Sequence, residues 1–430
     1  MKLFLSGCNY RTAGVGIRER FGFGSEAERA KSARELTQAH PEAEAVILNT
    51  CHRVEIVFAG PARPTPAWFP ASLFRSHFYH YKDEEVIRHL FRLTAGLDSM
   101  VVGEAQIVSQ IKNSYLAAQR AGATGPVLDR LFQRAIGLAR TIREQTPIGQ
   151  IEDSVASLAV NFISNHVPNL TGMKLLCLGA GQMARLALTA LRDRGVHECI
   201  LVSRTEARTR KLAESFGTAG NINTLDHYLA RVDLVLTTSA APHPLITAAK
   251  LRPVLARRTS PLFILDIAVP RDIAADVKDL DGVSLFDIDD LREEADELRT
   301  VRAPIISQAE PMIQREVSAY TDWLALRRMG PLLGALYARA HAWTDREAEA
   351  LIRRLPGLDD RQKNLIRTHL RRTVNRMLHP IVAEIKSDCA RGEDREDTLY
   401  RLLAAWPGQH REQVKEHILS TTLRELGMTG

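Results

Sequence analysis

Apolar positions along the chain change their spacing twice. Over residues 1–150 they form brief strand-like runs at 2–6, 45–48 and 55–58, mixed with helical spacing over 83–95 and 104–120. Between 60 and 70 stand four prolines, which argue against regular structure there. From about Met173 the runs become short and continuous, at 175–178, 199–203, 233–237 and 263–266, with helix-length amphipathic segments between most of them. That rhythm predicts a parallel sheet with crossover helices. Beyond Asp287 the pattern turns almost wholly helical and rich in Glu and Arg, as in helices that bury their apolar faces against one another or against a second subunit. The predicted fold is therefore α/β followed by all-α, with no fixed-period repeat.

Composition narrows this picture only a little. A chain of 430 residues is long for one core and predicts two or three domains. Its 45% apolar and 25% charged content is ordinary for a folded protein. A formal charge of +6 is compatible with a polyanionic partner without requiring one. Cys8, Cys51, Cys177, Cys199 and Cys389 are scattered and contain no C-x-x-C pair, so neither a disulfide framework nor a metal site is expected. The apolar start of the chain is too short for a signal peptide, and no run approaches the roughly 20 apolar residues of a membrane span. A cytoplasmic protein with no membrane contact is expected.

One turn carries a specific chemistry. The run 175–178 leads directly into Gly179-Ala180-Gly181-Gln182-Met183-Ala184 and then a helical segment to about Arg194. This is G-x-G-x-x-A between strand and helix. The first glycine permits the tight turn, the second leaves room for a pyrophosphate, and Ala184 is small enough for helix–strand packing. The next strand ends in Ser203-Arg204-Thr205, where an enzyme for NAD would carry an acidic residue for the ribose 2′-hydroxyl. Ser203 and Arg204, with Arg208 nearby, would instead donate to a 2′-phosphate, so NADPH is the expected cofactor. A solvated basic turn is the plainer alternative for those side chains.

A second candidate stands at the end of run 45–48, in Asn49-Thr50-Cys51-His52-Arg53-Val54-Glu55. Taken alone, Cys51 reads as a buried core thiol. Its polar, charged neighbours point the other way: beside Arg53 and His52 the expectation is a lowered pKa and a reactive thiolate. A reductase has use for such a group, because an ester accepts hydride poorly and a thioester accepts it well.

Several segments resemble, in order, those of the glutamyl-tRNA reductase family. Residues 49–55 resemble its S-T-C-N-R-T-E segment, 96–107 its G-L-D-S-x-V-x-G-E-P-Q-I run, and 266–273 its D-L-A-V-P-R-D-I strand end. Weaker matches lie at 9–20 and 287–291, and the resemblance reaches about residue 405. It implies that Cys51 attacks the ester of glutamyl-tRNA(Glu) and that NADPH reduces the thioester to glutamate-1-semialdehyde, the first step of tetrapyrrole (5-aminolevulinate) biosynthesis. It implies catalytic roles for Cys51 and His89, and substrate contacts at Thr50, His52, Arg53, Ser99, Glu104, Ala105, Gln106 and Gln110. Arg53 would offer a fork for the glutamate carboxylate. Gln106 and Gln110, at i and i+4, share a helix face that is otherwise simply polar, and Glu104 is equally a candidate helix N-terminal charge. His89 also lies with Val86, Leu90 and Leu93 on an apolar face, where a structural histidine is common.

The same resemblance implies a domain plan: an N-terminal α+β catalytic domain over 1–153, a Rossmann-type NADP domain over 154–290, a spinal helix and helical dimerisation domain over 291–405, and a tail of unassigned role over 406–430. A homodimer follows from it, glutamate-1-semialdehyde aminomutase is a candidate partner, and a domain rotation is a candidate means of uniting two separated sites. Within the spinal segment 291–326, Pro304 and Pro311 predict a bend or restart near residue 304. Arg367, Arg371, Arg372 and Arg376 are spaced to touch RNA phosphates or to form a solvated helix face. Departures from the family pattern are Tyr10 and Gly14 in the run Tyr10-Arg11-Thr12-Ala13-Gly14, His52 and Val54 beside the cysteine, Ala105, and Gln182 and Ala184 in the glycine turn. Because several adjoin the presumed pocket, two alternatives stay open: a paralogue acting on another aminoacyl-tRNA or small acyl substrate, and an idle NADP-binding regulator.

Overall fold

The structure is a computed structural model, and it describes residues 1–38, 42–66, 76–151, 154–239 and 241–390. The chain divides into two compact units, one of Lys2–Gln38 with Ala43–Gln314, the other mainly from Arg315 onward. The proposed tail, 406–430, lies outside the described residues.

The first unit contains two sheets. Strands β1 (Lys2–Asn9), β2 (Glu44–Thr50), β3 (Arg53–Gly60) and β4 (Tyr79–Lys82) form an antiparallel sheet in the order β2-β3-β1-β4. Only Cys51 and His52 join β2 to β3, and the register pairs Thr50 with Arg53. The cysteine therefore sits at the tip of a two-residue hairpin. Helices α1 (Val15–Phe21), α2 (Glu26–Gln38), α3 (Glu84–Thr94), α4 (Gln106–Arg120) and α5 (Pro126–Gln145) complete this part. In α3 the apolar spacing turns Val86, Ile87, Leu90, Phe91 and Leu93 into the core, which sets His89 beside the sheet.

The second sheet is parallel throughout. Its strands β5 (Lys174–Leu178), β6 (Glu198–Val202), β7 (Thr218–Ala219), β8 (Leu234–Thr237), β9 (Leu262–Asp266) and β10 (Val283–Asp287) run in the order β10-β9-β8-β5-β6-β7. Counted from its own first strand this is 3-2-1-4-5-6, the Rossmann arrangement, with the order reversing between β5 and β8. The helix α6 (Val155–His166), capped by Ser154, and the helix α7 (Gln182–Arg192) pack together on one face. One apolar cluster ties both sheets together: Tyr10, Val15, Met100 and Val101 from the first part meet Val155, Cys177, Leu201, Leu236, Leu265 and Ile288 from the second.

The expected interruption near residue 304 is present. Helix α11 (Arg292–Val301) stops at Arg302, and a new helix begins at Ala303 with Pro304 as its second residue, where a missing N–H is harmless. (Helices between α7 and α11 are α8, Glu206–Phe216, α9, Leu225–Leu229, and α10, Ala248–Leu255.) The new helix, α12, runs from Ala303 to Arg354 without ending at Pro311. In the second unit it is followed by α13 (Asp360–Ala390). Arg367 and Arg371 reach back to Glu349 and Asp345, at 2.7 and 2.5 Å, so these two arginines of the basic stretch are engaged within the helix pair.

Candidate active site

The cofactor crevice opens at the carboxyl ends of β5, β6 and β8, at the reversal of strand order where such sheets bind ligands. It has a volume of about 220 Å³. Gly179, Ala180, Gly181, Ser203 and Arg204 line it, whereas Gln182, Met183 and Ala184 form the first turn of α7 behind it. Gly179 has φ of +126°, and a Cβ there would stand 2.4 Å from Thr238 Oγ1. Gly181 is different: a Cβ would meet nothing within 4 Å, so the space beyond its backbone is open. A tight glycine followed by an open one at a helix N-terminus fits a pyrophosphate. The residues present therefore suit a dinucleotide.

Thr238, Ser239, Ala241 and Leu245 complete the crevice and were not marked by the sequence pattern; the available signal was the Thr-Thr-Ser ending of β8. Two buried carboxyls hold this rim. Asp266 accepts from Thr237 Oγ1 at 2.6 Å and from the N–H groups of Ala268 and Ile273, both at 3.0 Å. Burial outweighs those bonds and lifts its pKa to about 7. Asp272 accepts from the Ser239 hydroxyl and, at 2.9 Å, from the Ser239 N–H. The strand-end segment 266–273 thus shapes the crevice floor.

On the hairpin, Cys51 is half-buried and packs against the same apolar cluster as Ala180 and Met183 of the glycine turn. The two candidate sites therefore border one core. The thiol does not behave as the sequence suggested. Burial, with the Glu104 carboxyl adding to it, raises its pKa to about 12 against the opposing charges of Arg18 and Arg53. The reason lies in its neighbours. His52 is buried, and desolvation, with Arg18 and Arg53, lowers its pKa to about 3, so it is neutral. Arg53, 2% exposed, gives its guanidinium to Glu55 Oε1 at 2.8 Å and to the Asp98 carbonyl.

Glu55 is the hub of this arrangement. Its Oε1 also accepts from the Tyr79 hydroxyl and pairs with His89 Nε2 at 3.0 Å. Burial pushes this carboxyl up, but His89 and Arg53 together outweigh it and hold it well below the usual range. Segment 96–107 lies alongside. Gly96 and Gly103, at φ of +79° and +87°, close it with a hydrogen bond of 3.0 Å. Arg92 and Arg299 bind Asp98, and Arg302 binds the Val102 carbonyl at 2.7 Å. Glu104 meets the N-terminus of α6, through the Val155 N–H, and not that of α4; burial lifts its pKa to about 7.

Several of these residues carry buried polar atoms without partners. Among the described residues, both ring nitrogens of His52, Ser99 Oγ, Gln106 Nε2, Glu55 Oε2 and two guanidinium nitrogens of Arg18 are buried and unpaired. Buried polar groups are nearly always hydrogen-bonded, which sets these atoms apart from the rest of the fold's polar groups. Thr50 Oγ1 accepts from the His52 N–H at 3.3 Å, Ala105 is exposed, and Gln110 is half-buried one turn from Gln106. Arg18 was missed in the sequence because α1 shows nothing but an ordinary charged helix.

Comparison with known proteins follows the same division of the chain. Residues 6–146 match the model described as the N-terminal domain of glutamyl-tRNAGlu reductase. Residues 161–294 match the shikimate/quinate 5-dehydrogenase model, which supports a pyridine nucleotide at the parallel sheet. Residues 308–406 match the glutamyl-tRNAGlu reductase dimerisation domain. Among solved structures, the glutamyl-tRNA reductase from Methanopyrus kandleri is 30% identical, covering 91% of this chain and 97% of its own, with a TM-score of 0.48. The glutamyl-tRNA reductase of Chloroflexus aggregans is 36% identical over 423 residues, 92% of this chain and 93% of its own. That of Rubrobacter xylanophilus is 35% identical over 418 residues, 94% and 97%. No helix among the described residues is long and apolar enough to cross a membrane. At this identity over nearly the whole length, the chain belongs to the glutamyl-tRNA reductase family.

Proposed function

We propose that this chain reduces glutamyl-tRNA(Glu) to glutamate-1-semialdehyde with NADPH, the first step of tetrapyrrole biosynthesis, through a thioester on Cys51. The observation that carries this reading is the half-buried cysteine at a hairpin tip, packed on the same apolar cluster as the glycine turn.

In the first stage the Cys51 sulfur loses its proton and bonds to the ester carbonyl carbon. The bond from that carbon to the terminal ribose oxygen breaks, and the oxygen leaves as a hydroxyl carrying a proton. Ser99, Gln106 and His52 have the idle polar atoms to hold the glutamyl group, with Thr50, Arg53, Glu104, Ala105 and Gln110 around them. Glu55 orients His89 and Arg53. When bound, NADPH supplies the hydride that reduces the thioester to the aldehyde and frees Cys51. Gly179, Ala180, Gly181 and the N-terminal turn Gln182–Ala184 would hold the pyrophosphate, and Ser203 and Arg204 the 2′-phosphate.

The division of labour follows residues 1–153 for catalysis, 154–290 for the cofactor and 291–405 for dimerisation, in a cytoplasmic homodimer. A reactive aldehyde product favours direct hand-off, so glutamate-1-semialdehyde aminomutase is the partner we assign. NADPH oxidation should require glutamyl-tRNA and be absent with uncharged tRNA or with aspartyl- or glutaminyl-tRNA. Equal turnover with a different aminoacyl group would overturn the substrate assignment.

A further inference from the structure

The loop from Gly96 to Glu104 has its main chain held by guanidinium groups from elsewhere in the fold. The carbonyls of Leu97, Asp98, Val102 and Gly103 accept, in that order, from Arg299 on α11, Arg53 on β3, Arg302 at the end of α11 and Arg143 on α5. Arg299 makes two bonds: Nη1 donates to the Leu97 carbonyl at 2.7 Å, and Nη2 pairs with the Asp98 carboxylate at 3.2 Å. A rigid fork that spans a main-chain and a side-chain acceptor on consecutive residues fixes the orientation of a loop as well as its position. The next residue is Ser99, 4% exposed, whose hydroxyl has no partner. The loop is therefore pinned on both sides of one idle buried hydroxyl.

The same helix reaches the support of the cysteine. Arg292, the first residue of α11, donates to the Tyr10 carbonyl. The Tyr10 N–H in turn donates to the His52 carbonyl at 2.9 Å, in the hairpin that carries Cys51. Arg292 and Arg299 stand two turns apart, about 10 Å along the helix. From the strand that leaves the hairpin, Arg53 bonds the Asp98 carbonyl, and Met100 and Val101 lie in the apolar cluster against which Cys51 packs. Hairpin and loop thus adjoin, and α11 is bonded to both. Arg299 and Arg302 fall between the matched cofactor segment, which ends at 294, and the matched dimerisation segment, which starts at 308.

We infer that Arg299 is a positioning residue for the acyl-transfer step: with Arg302, it sets the Ser99 loop against the Cys51 hairpin so that the serine hydroxyl meets the glutamyl group at the sulfur. Two segments distant in sequence need a third element to fix their separation, and α11 supplies it from outside the catalytic sheet. The inference rests on the reading of Ser99 as a contact to the glutamyl group.

The test is single-turnover loss of the ester from glutamyl-tRNA, with enzyme in excess and no NADPH, in wild type, Arg299→Met, Ser99→Ala and the double variant. Each single change should slow ester loss about tenfold or more, the scale on which misplacement of about an ångström acts. Because Arg299 acts through Ser99, the double variant should be no slower than the slower single one, with NADPH affinity near wild type in all three. Losses that multiply in the double variant overturn the inference, as does a folded Arg299→Met with the wild-type rate. NADPH affinity that falls in step with the rate overturns it too, since that marks a general loosening of the fold. If Arg299→Met does not fold, Arg299→Lys, which keeps the charge but serves only one of the two acceptors, carries the comparison. A wild-type rate in Ser99→Ala removes the Ser99 contact and the inference with it. Ester loss retained in Cys51→Ser removes the nucleophile assignment instead, and the comparison of Ser99 with Arg299 still decides the inference.

Discussion

Arg271 clasps Glu19 across the two sheets: its Nε and Nη2 lie 3.1 and 2.9 Å from the carboxylate oxygens, and its own N–H adds a third bond at 2.6 Å. Arg271 stands in the segment that shapes the cofactor crevice, and Glu19 stands on α1 next to Arg18. Both side chains are mostly buried, at 25% and 20% exposed. A two-pronged arginine–carboxylate pair fixes orientation as well as adding energy.

Breaking this clasp should loosen the seating of α1 more than it harms either part. Glu19→Ala is expected to lose about 2 kcal/mol of stability and to lower kcat while leaving NADPH affinity near wild type. A double-mutant cycle with Arg271→Ala, read by denaturant unfolding, should show strong coupling. Additive losses would mean that the pair is incidental.

The two glycines of the turn should fail differently. Gly179→Ala places a methyl against Thr238 at a backbone angle that disfavours it, so the protein should lose about 1–3 kcal/mol and bind NADPH poorly. Gly181→Ala has room in the fold, and its methyl should instead occupy space meant for the pyrophosphate. Thermal melts with and without NADPH distinguish the two. An unchanged NADPH affinity in Gly181→Ala would contradict the placement of the phosphates.

Cofactor choice should turn on the end of β6. Arg204→Glu puts a carboxylate where the 2′-phosphate is expected, so affinity for NADPH should fall by about tenfold or more, with NADH much less affected. Titration by fluorescence quenching reads both constants. Parallel losses for the two nucleotides would exclude a 2′-phosphate contact.

Glu104 gives a pH signature whose sign is fixed by its raised pKa. In the unfolded chain the carboxyl ionises near its ordinary 4.5; in the folded protein it stays protonated until about 7. The native state therefore holds the extra proton between those values, and stability falls as pH rises through that window. Glu104→Gln should remove this part of the slope, a difference of roughly 3 kcal/mol by pH 7. Urea unfolding at pH 4.5, 6 and 7.5 checks it; an unaltered slope would show that Glu104 titrates normally.

What could be read from the sequence was what local pattern determines. The glycine turn and four of the parallel strands follow from runs of apolar residues and from positions where a Cβ is not tolerated. The restart of the helix at Ala303 follows from the missing N–H of Pro304. Strand β10, the short β4 and the two-residue β7 were not evident, because edge strands this short or mixed carry little periodic signal. The residue types of the candidate site stand in the sequence; their electrostatics do not. Arg53 beside Cys51 suggested an activated thiolate, yet the fold spends that charge on Glu55, a partner two residues away on the same strand. Arg18 and Asp289 lie 271 residues apart, and only tertiary packing brings them together.

In the proposed reaction Cys51 carries the acyl group. Mixing the protein with glutamyl-tRNA labelled in the amino acid, without NADPH, and mapping the label by peptide mass spectrometry tests it most directly. A glutamyl thioester is expected on the Cys51 peptide, absent in Cys51→Ser and discharged when NADPH is added. Label that persists in Cys51→Ser, or that maps to another residue, would contradict it.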